Sequence, residues 1–143
     1  MRLRQLRLPL AALLAAGLPS VMRAQAEAVS ADSAAAAAAR QVAVGEQWFR
    51  SACLECHAAR GLDNADFRLK WAGRSALDLF ELIRSTMPDG KAGSLTPGTY
   101  AAIVSYLMRA NGMPVGARRL SSDSSALMSI RLTFPAKSAP TNR

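Results

Sequence analysis

Apolar residues recur at helical spacing in three segments of the chain, residues 42–50, 75–85 and 97–111. Ser75 is suited to cap the second segment, and Thr96, which a proline follows, is suited to cap the third. The apolar positions are Val42, Trp48 and Phe49, then Leu77, Phe80, Leu82 and Ile83, and finally Tyr100, Ile103, Val104 and Leu107. No segment alternates apolar and polar residues as a strand does, so the pattern predicts an all-α fold.

The segments between these helices contain residues that interrupt helical structure. Residues 58–74 are predicted to be irregular because Gly61 and Gly73 break the pattern. Residues 86–95 are predicted to form a loop, since they include Pro88 and two glycines. Beyond the third helix the chain is rich in Ser, and we expect local packing there and a loose end.

The first 26 residues have the features of a secretion signal. Three arginines precede an apolar run at residues 8–18, and Ala24-Gln25-Ala26 forms a cleavage site of the small-x-small type. The run is shorter than the roughly 20 apolar residues that span a bilayer. A cleaved signal is therefore favoured over an uncleaved N-terminal anchor, no stable membrane span is expected after cleavage, and the predicted location is the periplasm.

Four segments follow from these features: the signal at 1–26, an Ala-rich tether at 27–40, a compact domain at 41–116 and a C-terminal extension at 117–143. The Ala-rich segment has no apolar stripe, so it is either a tether or an extension of the helix that follows it. The signal carries four of the 18 Lys and Arg residues and no acidic residue, so its removal lowers the formal charge from +8 to +4. This mild basicity favours an acidic partner, while the absence of a basic stripe interleaved with aromatics argues against nucleic acid.

The motif C-x-x-C-H at residues 53–57 holds the only two cysteines and the only histidine of the chain. This spacing is typical of c-type haem attachment. Cys53 and Cys56 project to one side of the chain, where each thiol can add to a haem vinyl group, and His57 then lies where it can bind the iron. We predict one covalently bound haem c, attached through Cys53 and Cys56, with His57 as a ligand of the iron.

Three other interpretations of the motif fit the sequence less well than haem attachment. A thioredoxin-like C-x-x-C requires a preceding strand, and a helix precedes this one. A structural zinc site normally has four protein ligands, and two cysteines and one histidine fall short of that number. A plain disulfide would leave the histidine without a role. The secretion signal argues against zinc and fits haem, because c-type haem is attached after export.

A second iron ligand is sought among the methionines, whose thioether sulfur is a soft ligand. Met87 lies in the 86–95 loop between two helices and precedes a proline that stiffens its backbone. Met113 also precedes a proline and is the main competitor, but it lies just past the last helix. Met87 is therefore favoured. Trp71 and Arg74 are secondary candidates for binding the haem propionates, although a packing tryptophan and a solvated arginine fit these positions equally well.

A more specific pattern continues through the chain. Its segments are Trp71–Phe80, Ile83–Pro88, Gly93–Pro97 with Tyr100, Ile103–Leu107 and Ala110–Pro114. With the C-x-x-C-H motif, they resemble the class I cytochromes c, most closely the cytochrome c domains and subunits associated with quinoprotein (PQQ) alcohol dehydrogenases. The resemblance implies three to four helices around one covalently bound haem, with His57 and Met87 as the axial ligands.

The resemblance also implies that the first and last helices cross, with Gly45 and Phe49 meeting Tyr106 and Leu107. There is one clear departure. Such cytochromes usually have a glycine after the haem histidine and a Gly-Pro soon after, from which a carbonyl accepts a hydrogen bond from the histidine. Here two alanines follow His57, and no proline appears before residue 88.

The predicted function is that of an exported mono-haem cytochrome, not an enzyme. With both axial positions of the iron filled, it would transfer single electrons between a periplasmic dehydrogenase, by resemblance a quinoprotein alcohol dehydrogenase, and a downstream cytochrome or oxidase of the respiratory chain. One alternative is a five-coordinate haem that binds or senses a gas or peroxide, which requires that Met87 be absent from the iron. Another is a haem subunit that docks stably in a dehydrogenase complex.

Overall fold

The computed structural model describes residues 18–57, 61–114 and 116–135. The helices are α1 (Leu18–Ala52), α2 (Leu54–His57), α3 (Ala65–Trp71), α4 (Ala76–Thr86), α5 (Pro97–Ala110) and α6 (Ser124–Met128). In these ranges there is no strand, and a single bridge joins Ser75 to Arg131. The predicted all-α fold is confirmed.

The chain divides into two units, Met1–Ser33 and Ala34–Arg143. In the first unit, residues 18–33 form the first part of α1. Residues 1–17, which belong to the predicted signal, lie outside the described residues. None of the described helices is long and apolar enough to cross a membrane. All features below belong to the second unit.

The two strongest helix predictions are confirmed, together with their caps. Ser75 caps α4 through a capping box, in which its hydroxyl accepts from the Asp78 N–H at 3.1 Å and the Asp78 carboxylate accepts from the Ser75 N–H at 2.9 Å. The Thr96 hydroxyl caps α5 by accepting from the Thr99 N–H at 3.2 Å. The first predicted helix, 42–50, is part of the longer α1. The Ala-rich residues before it are helical too, which makes them an extension of that helix.

Besides the four-residue α2, two helices lie where none was predicted. α3 lies within the segment predicted to be irregular, and its cap is Asn64, whose side-chain oxygen accepts from the Phe67 N–H at 2.9 Å. α6 lies in the Ser-rich C-terminal segment and is capped by Asp123. These helices have seven and five residues, two turns or fewer, which is too short for an apolar period to appear in the sequence.

The core forms around α5, which packs on α4, and α4 in turn packs on α6. Leu127 and Leu132, from the predicted C-terminal extension, are fully buried in this core. Near Leu132 the backbone also pairs with the start of α4, because the Leu132 N–H donates to the Arg74 carbonyl and the Ala76 N–H to the Ile130 carbonyl, both at 2.9 Å. Residues 130–132 therefore help to hold α4 in place.

The helix crossing implied by the resemblance is present between α1 and α5. A β-carbon at Gly45 would overlap the backbone carbonyl of Ala102, so only glycine allows this approach. One turn further along α1, Phe49 packs against Tyr106 with ring centroids 5.3 Å apart. The end of α1, and with it the motif at 53–57, is thereby fixed against α5.

Candidate functional site

The C-x-x-C-H motif lies at the junction of α1 and α2. The Cys53 N–H donates to the Phe49 carbonyl at 2.9 Å and continues the hydrogen bonding of α1, while the His57 N–H donates to the Cys53 carbonyl at 3.0 Å. Cys53 is half-buried and Cys56 is exposed, and no disulfide joins them. Without haem attached, burial raises the pKa of the Cys53 thiol above its usual value, and the nearby Cys56 raises it further.

Two cavities adjoin the motif. The larger, about 510 Å³, extends from His57 to Met87 between α3, α4 and α5. The smaller, about 290 Å³, is lined by Ala52, Cys53, Cys56, His57, Met87 and Asp89. His57 and Met87 line both cavities, so the two predicted iron ligands and the two predicted attachment sites lie around this pair of adjoining cavities.

The chemistry of this space suits a haem. The larger cavity falls within the roughly 300–1,000 Å³ of cofactor sites. Its apolar lining consists of Leu62, Phe67, Trp71, Leu79, Leu82, Ile83 and Leu107. Its polar lining, besides His57, consists of Asn64, Asp66, Lys70 and Thr86. An imidazole and a thioether are known haem-iron ligands. Among the described residues, no three His, Cys, Asp or Glu side chains are grouped to hold a metal ion, so nothing there supports the zinc alternative.

The two competing methionines lie in different environments. Met87 is partly exposed at the C-terminal cap of α4 and faces both cavities. Met113 is only 5% exposed, belongs to the hydrophobic core and lines neither of these cavities. The geometry therefore brings Met87, and not Met113, together with His57.

The two secondary candidates also differ. Trp71 is buried and lines the larger cavity, as a propionate-binding residue should. Arg74 is not part of that lining; its guanidinium lies 4.9 Å from the centre of the Trp71 ring and 3.9 Å from the Asp78 carboxylate. Sequence reasoning missed Lys70, whose ammonium group lies 5.4 Å from the same ring and which does line the cavity. Lys70 is therefore better placed than Arg74 to meet a propionate.

Sequence reasoning also missed the role of Tyr100, which it assigned only to the apolar face of α5. Tyr100 is 1% exposed, and its hydroxyl donates to the Met87 carbonyl at 2.8 Å and accepts from the Leu95 N–H at 3.4 Å. The hydroxyl thus ties both ends of the loop between α4 and α5 to one side chain. A buried tyrosine normally has a hydroxyl partner, which was the signal available in the sequence.

A comparison with known families supports the haem interpretation of this site. Residues 40–107 match a family model described as cytochrome c oxidase, cbb3-type, subunit III. The match covers just under half of the chain and includes both cysteines, His57 and Met87. The match supports a c-type cytochrome domain in this segment.

The cytochrome domain confirms two predictions, namely the all-α cytochrome c fold and the covalently bound haem c. It also indicates a haem-binding electron carrier rather than an enzyme. Neither the search of curated proteins nor that of solved structures gives a match.

Proposed function

We propose that this protein is an exported mono-haem electron carrier whose iron is bound by His57 and Met87. The observation that carries the proposal is that these two side chains line both cavities beside Cys53 and Cys56. When bound, the haem supplies an iron that gains and loses one electron. If His57 and Met87 both bound the iron, no position on it would be left for a substrate.

Other side chains of the cytochrome domain exclude water from the haem, position Met87 and leave one haem edge near the surface. The apolar wall of the larger cavity excludes water and so influences the potential at which the electron is held. The Tyr100 hydroxyl fixes the backbone of Met87, and thus the position of its sulfur. Because Cys56 is exposed, the haem edge attached there would lie near the surface, where an electron can pass to a partner.

We extend the proposal to location and partners. The predicted signal and the attachment of c-type haem after export support a periplasmic protein. Mild basicity after signal removal supports docking on an acidic partner. The proposed partners are a periplasmic dehydrogenase, with a quinoprotein alcohol dehydrogenase suggested by resemblance, and a downstream cytochrome or oxidase of the respiratory chain. A complex that survives purification would indicate a stable dehydrogenase subunit instead of a diffusing carrier.

The optical spectrum of the oxidised protein tests the ligand set. A weak band at long wavelength reports methionine sulfur on ferric haem. We expect this band in the native protein and expect Met87→Ala to abolish it. Met113→Ala is the control: it should keep the band while losing about 2–5 kcal/mol of stability, because it empties a buried site.

Two results would contradict the proposal. A band that persists in Met87→Ala and vanishes in Met113→Ala would assign the ligand to Met113. If the native protein has no such band and binds carbon monoxide or peroxide readily, the iron is five-coordinate, and the protein binds or senses small molecules.

A further inference from the structure

The backbone that follows the haem motif is tied to the far end of α5 by one buried amide. Asn111 is 3% exposed, and its Nδ2 donates to the Leu62 carbonyl at 2.6 Å and to the Leu107 carbonyl at 2.9 Å. The second bond lies within the last turn of α5. The first joins residues 49 positions apart in the sequence and links the helix end to residues 61–64, here called the histidine-side loop.

Every carbonyl from position 61 to 63 of this loop accepts a side-chain hydrogen bond. The Gly61 carbonyl accepts from Asn64 at 3.0 Å, the Leu62 carbonyl from Asn111, and the Asp63 carbonyl from Arg68 at 2.9 Å. The Arg68 Nε also lies 3.5 Å from the Asn111 Oδ1, at the limit of a hydrogen bond. Of the three donors, Asn111 is the most buried and comes from the most distant part of the sequence.

The histidine-side loop connects directly to the haem site. The Gly61 N–H donates to the His57 carbonyl at 3.0 Å, and Gly61, Leu62 and Asn64 line the larger cavity beside His57. Within the described ranges, the His57 imidazole itself forms no hydrogen bond. The orientation of this ring therefore depends on the backbone that carries it.

We propose that Asn111 is a positioning residue for His57. Its amide fixes the Leu62 carbonyl, and the adjacent Gly61 fixes the His57 carbonyl. Together these bonds would set the orientation in which His57 holds a haem iron. The inference deepens the proposed function and rests on His57 binding a haem iron. A residue that merely ended α5 would need only the local bond to Leu107; the shorter bond to Leu62 adds nothing to the helix.

Replacement of Asn111 by leucine in the full-length, haem-loaded protein tests this inference. Leucine has a similar size but leaves the Leu62 carbonyl without its partner. Two properties are measured: the proton NMR signals of the His57 ring and the Met87 methyl group in the reduced protein, and the reduction potential. We expect the His57 signals to shift or double while the Met87 signal stays in place. The potential should fall, since a loosened wall admits water that favours the more charged ferric state.

Ser105→Ala is the matched control. Ser105 is also a fully buried polar residue of α5, but its hydroxyl has no hydrogen-bond partner among the described residues, so its loss should leave both properties unchanged. Should the leucine variant not fold, Asn111→Ala provides the same measurements, because water can then reach the Leu62 carbonyl.

The inference is overturned if an Asn111 variant loses stability but keeps the native His57 signals and potential. It is equally overturned if the His57 and Met87 signals move together, because that would show general loosening. The proposed function fails separately: a native protein without a Met87 signal from bound methionine would disprove the ligand pair, while the His57 comparison would still be valid.

Discussion

The two sides of the haem cavity are built in different ways. On the methionine side, Met87 is the C-terminal cap of α4, and its N–H donates to the Ile83 carbonyl at 2.8 Å. Here α4 and α5 both have capped N-termini and pack on each other, with the Phe80 and Tyr100 rings edge to face. On the histidine side, α2 has four residues, none of them buried.

This difference shows which interactions hold each of the two proposed iron ligands, Met87 and His57, in place. The methionine side is held by helices that bury apolar faces against each other, and the part of this burial that lies away from the cavity does not depend on the haem. On the histidine side the end of α1 packs against α5, but the chain after His57 is held mainly by side-chain hydrogen bonds to the loop at residues 61–64. Each of these bonds has a net value of only about 0.5–1.5 kcal/mol. The histidine side should therefore depend more strongly on the haem itself.

The largest expected effect comes from removal of the haem. In the double variant Cys53→Ala/Cys56→Ala, the apolar lining of a cavity of about 510 Å³ would face water. We expect this protein to be largely unfolded, with a weak helical circular dichroism signal and no cooperative transition. Any residual protection in amide hydrogen exchange should lie in α4 and α5, and none should lie in residues 54–64.

A cooperative, helical double variant would contradict this expectation. Residual protection around His57 instead of in α4 and α5 would contradict a different claim, namely that the histidine side depends more strongly on the haem. The haem-loaded native protein provides the reference for both measurements.

The same contrast explains what could be predicted from the sequence. On the methionine side the signals are local: Ser75 and Asp78 form a capping box three residues apart, and Thr96-Pro97 marks the start of α5. The C-x-x-C-H motif is also local, and its chemistry depends on spacing alone. These features specified the all-α fold, the haem and the loop that carries Met87.

The features that could not be predicted from the sequence all depend on contacts between residues that are distant in the chain. Asn111 appeared as the end of a helix because nothing local indicates that its amide reaches Leu62, 49 positions away. Sequence reasoning named Arg74 and missed Lys70, because the direction of each side chain around Trp71 is set by tertiary packing. The burial of Leu132 likewise depends on backbone pairing with the start of α4.

A smaller effect is expected from Tyr100→Phe, which acts on the methionine side alone. The variant keeps the ring but leaves the Met87 carbonyl without its hydroxyl donor, at a cost of about 1–3 kcal/mol. In guanidinium titrations of the oxidised protein, the methionine band should disappear at a lower concentration than in the native protein. Tyr106→Phe is the control, since Tyr106 lies on the same helix and packs against Phe49 through its ring. Equal shifts in both variants would show that the Tyr100 hydroxyl has no special role.

The smallest effect concerns the start of α4. The Ser75 N–H and, to a lesser extent, its hydroxyl hold the pKa of the Asp78 carboxyl below its ordinary value of 3.8. Because the folded-state pKa is the lower one, this carboxylate stabilises the fold fully above about pH 4, and the contribution is lost as the pH falls through the folded-state value. Asp78→Asn should therefore be less stable than the native protein near neutral pH, and the two should converge in acid.

Denaturant midpoints measured from about pH 7 down to about pH 2 test this prediction. Ser75→Gly sharpens it, because glycine keeps the backbone donor and loses the hydroxyl. Since the backbone bond is the larger cause of the lowered pKa, this variant should retain part of the pH dependence that Asp78→Asn lacks. If Asp78→Asn is less stable than the native protein by the same amount at every pH, the negative charge of Asp78 adds nothing to stability. The capping box would then act only through its hydrogen-bond geometry. In either case the His57 signals should not change, because the capping box belongs to the methionine side.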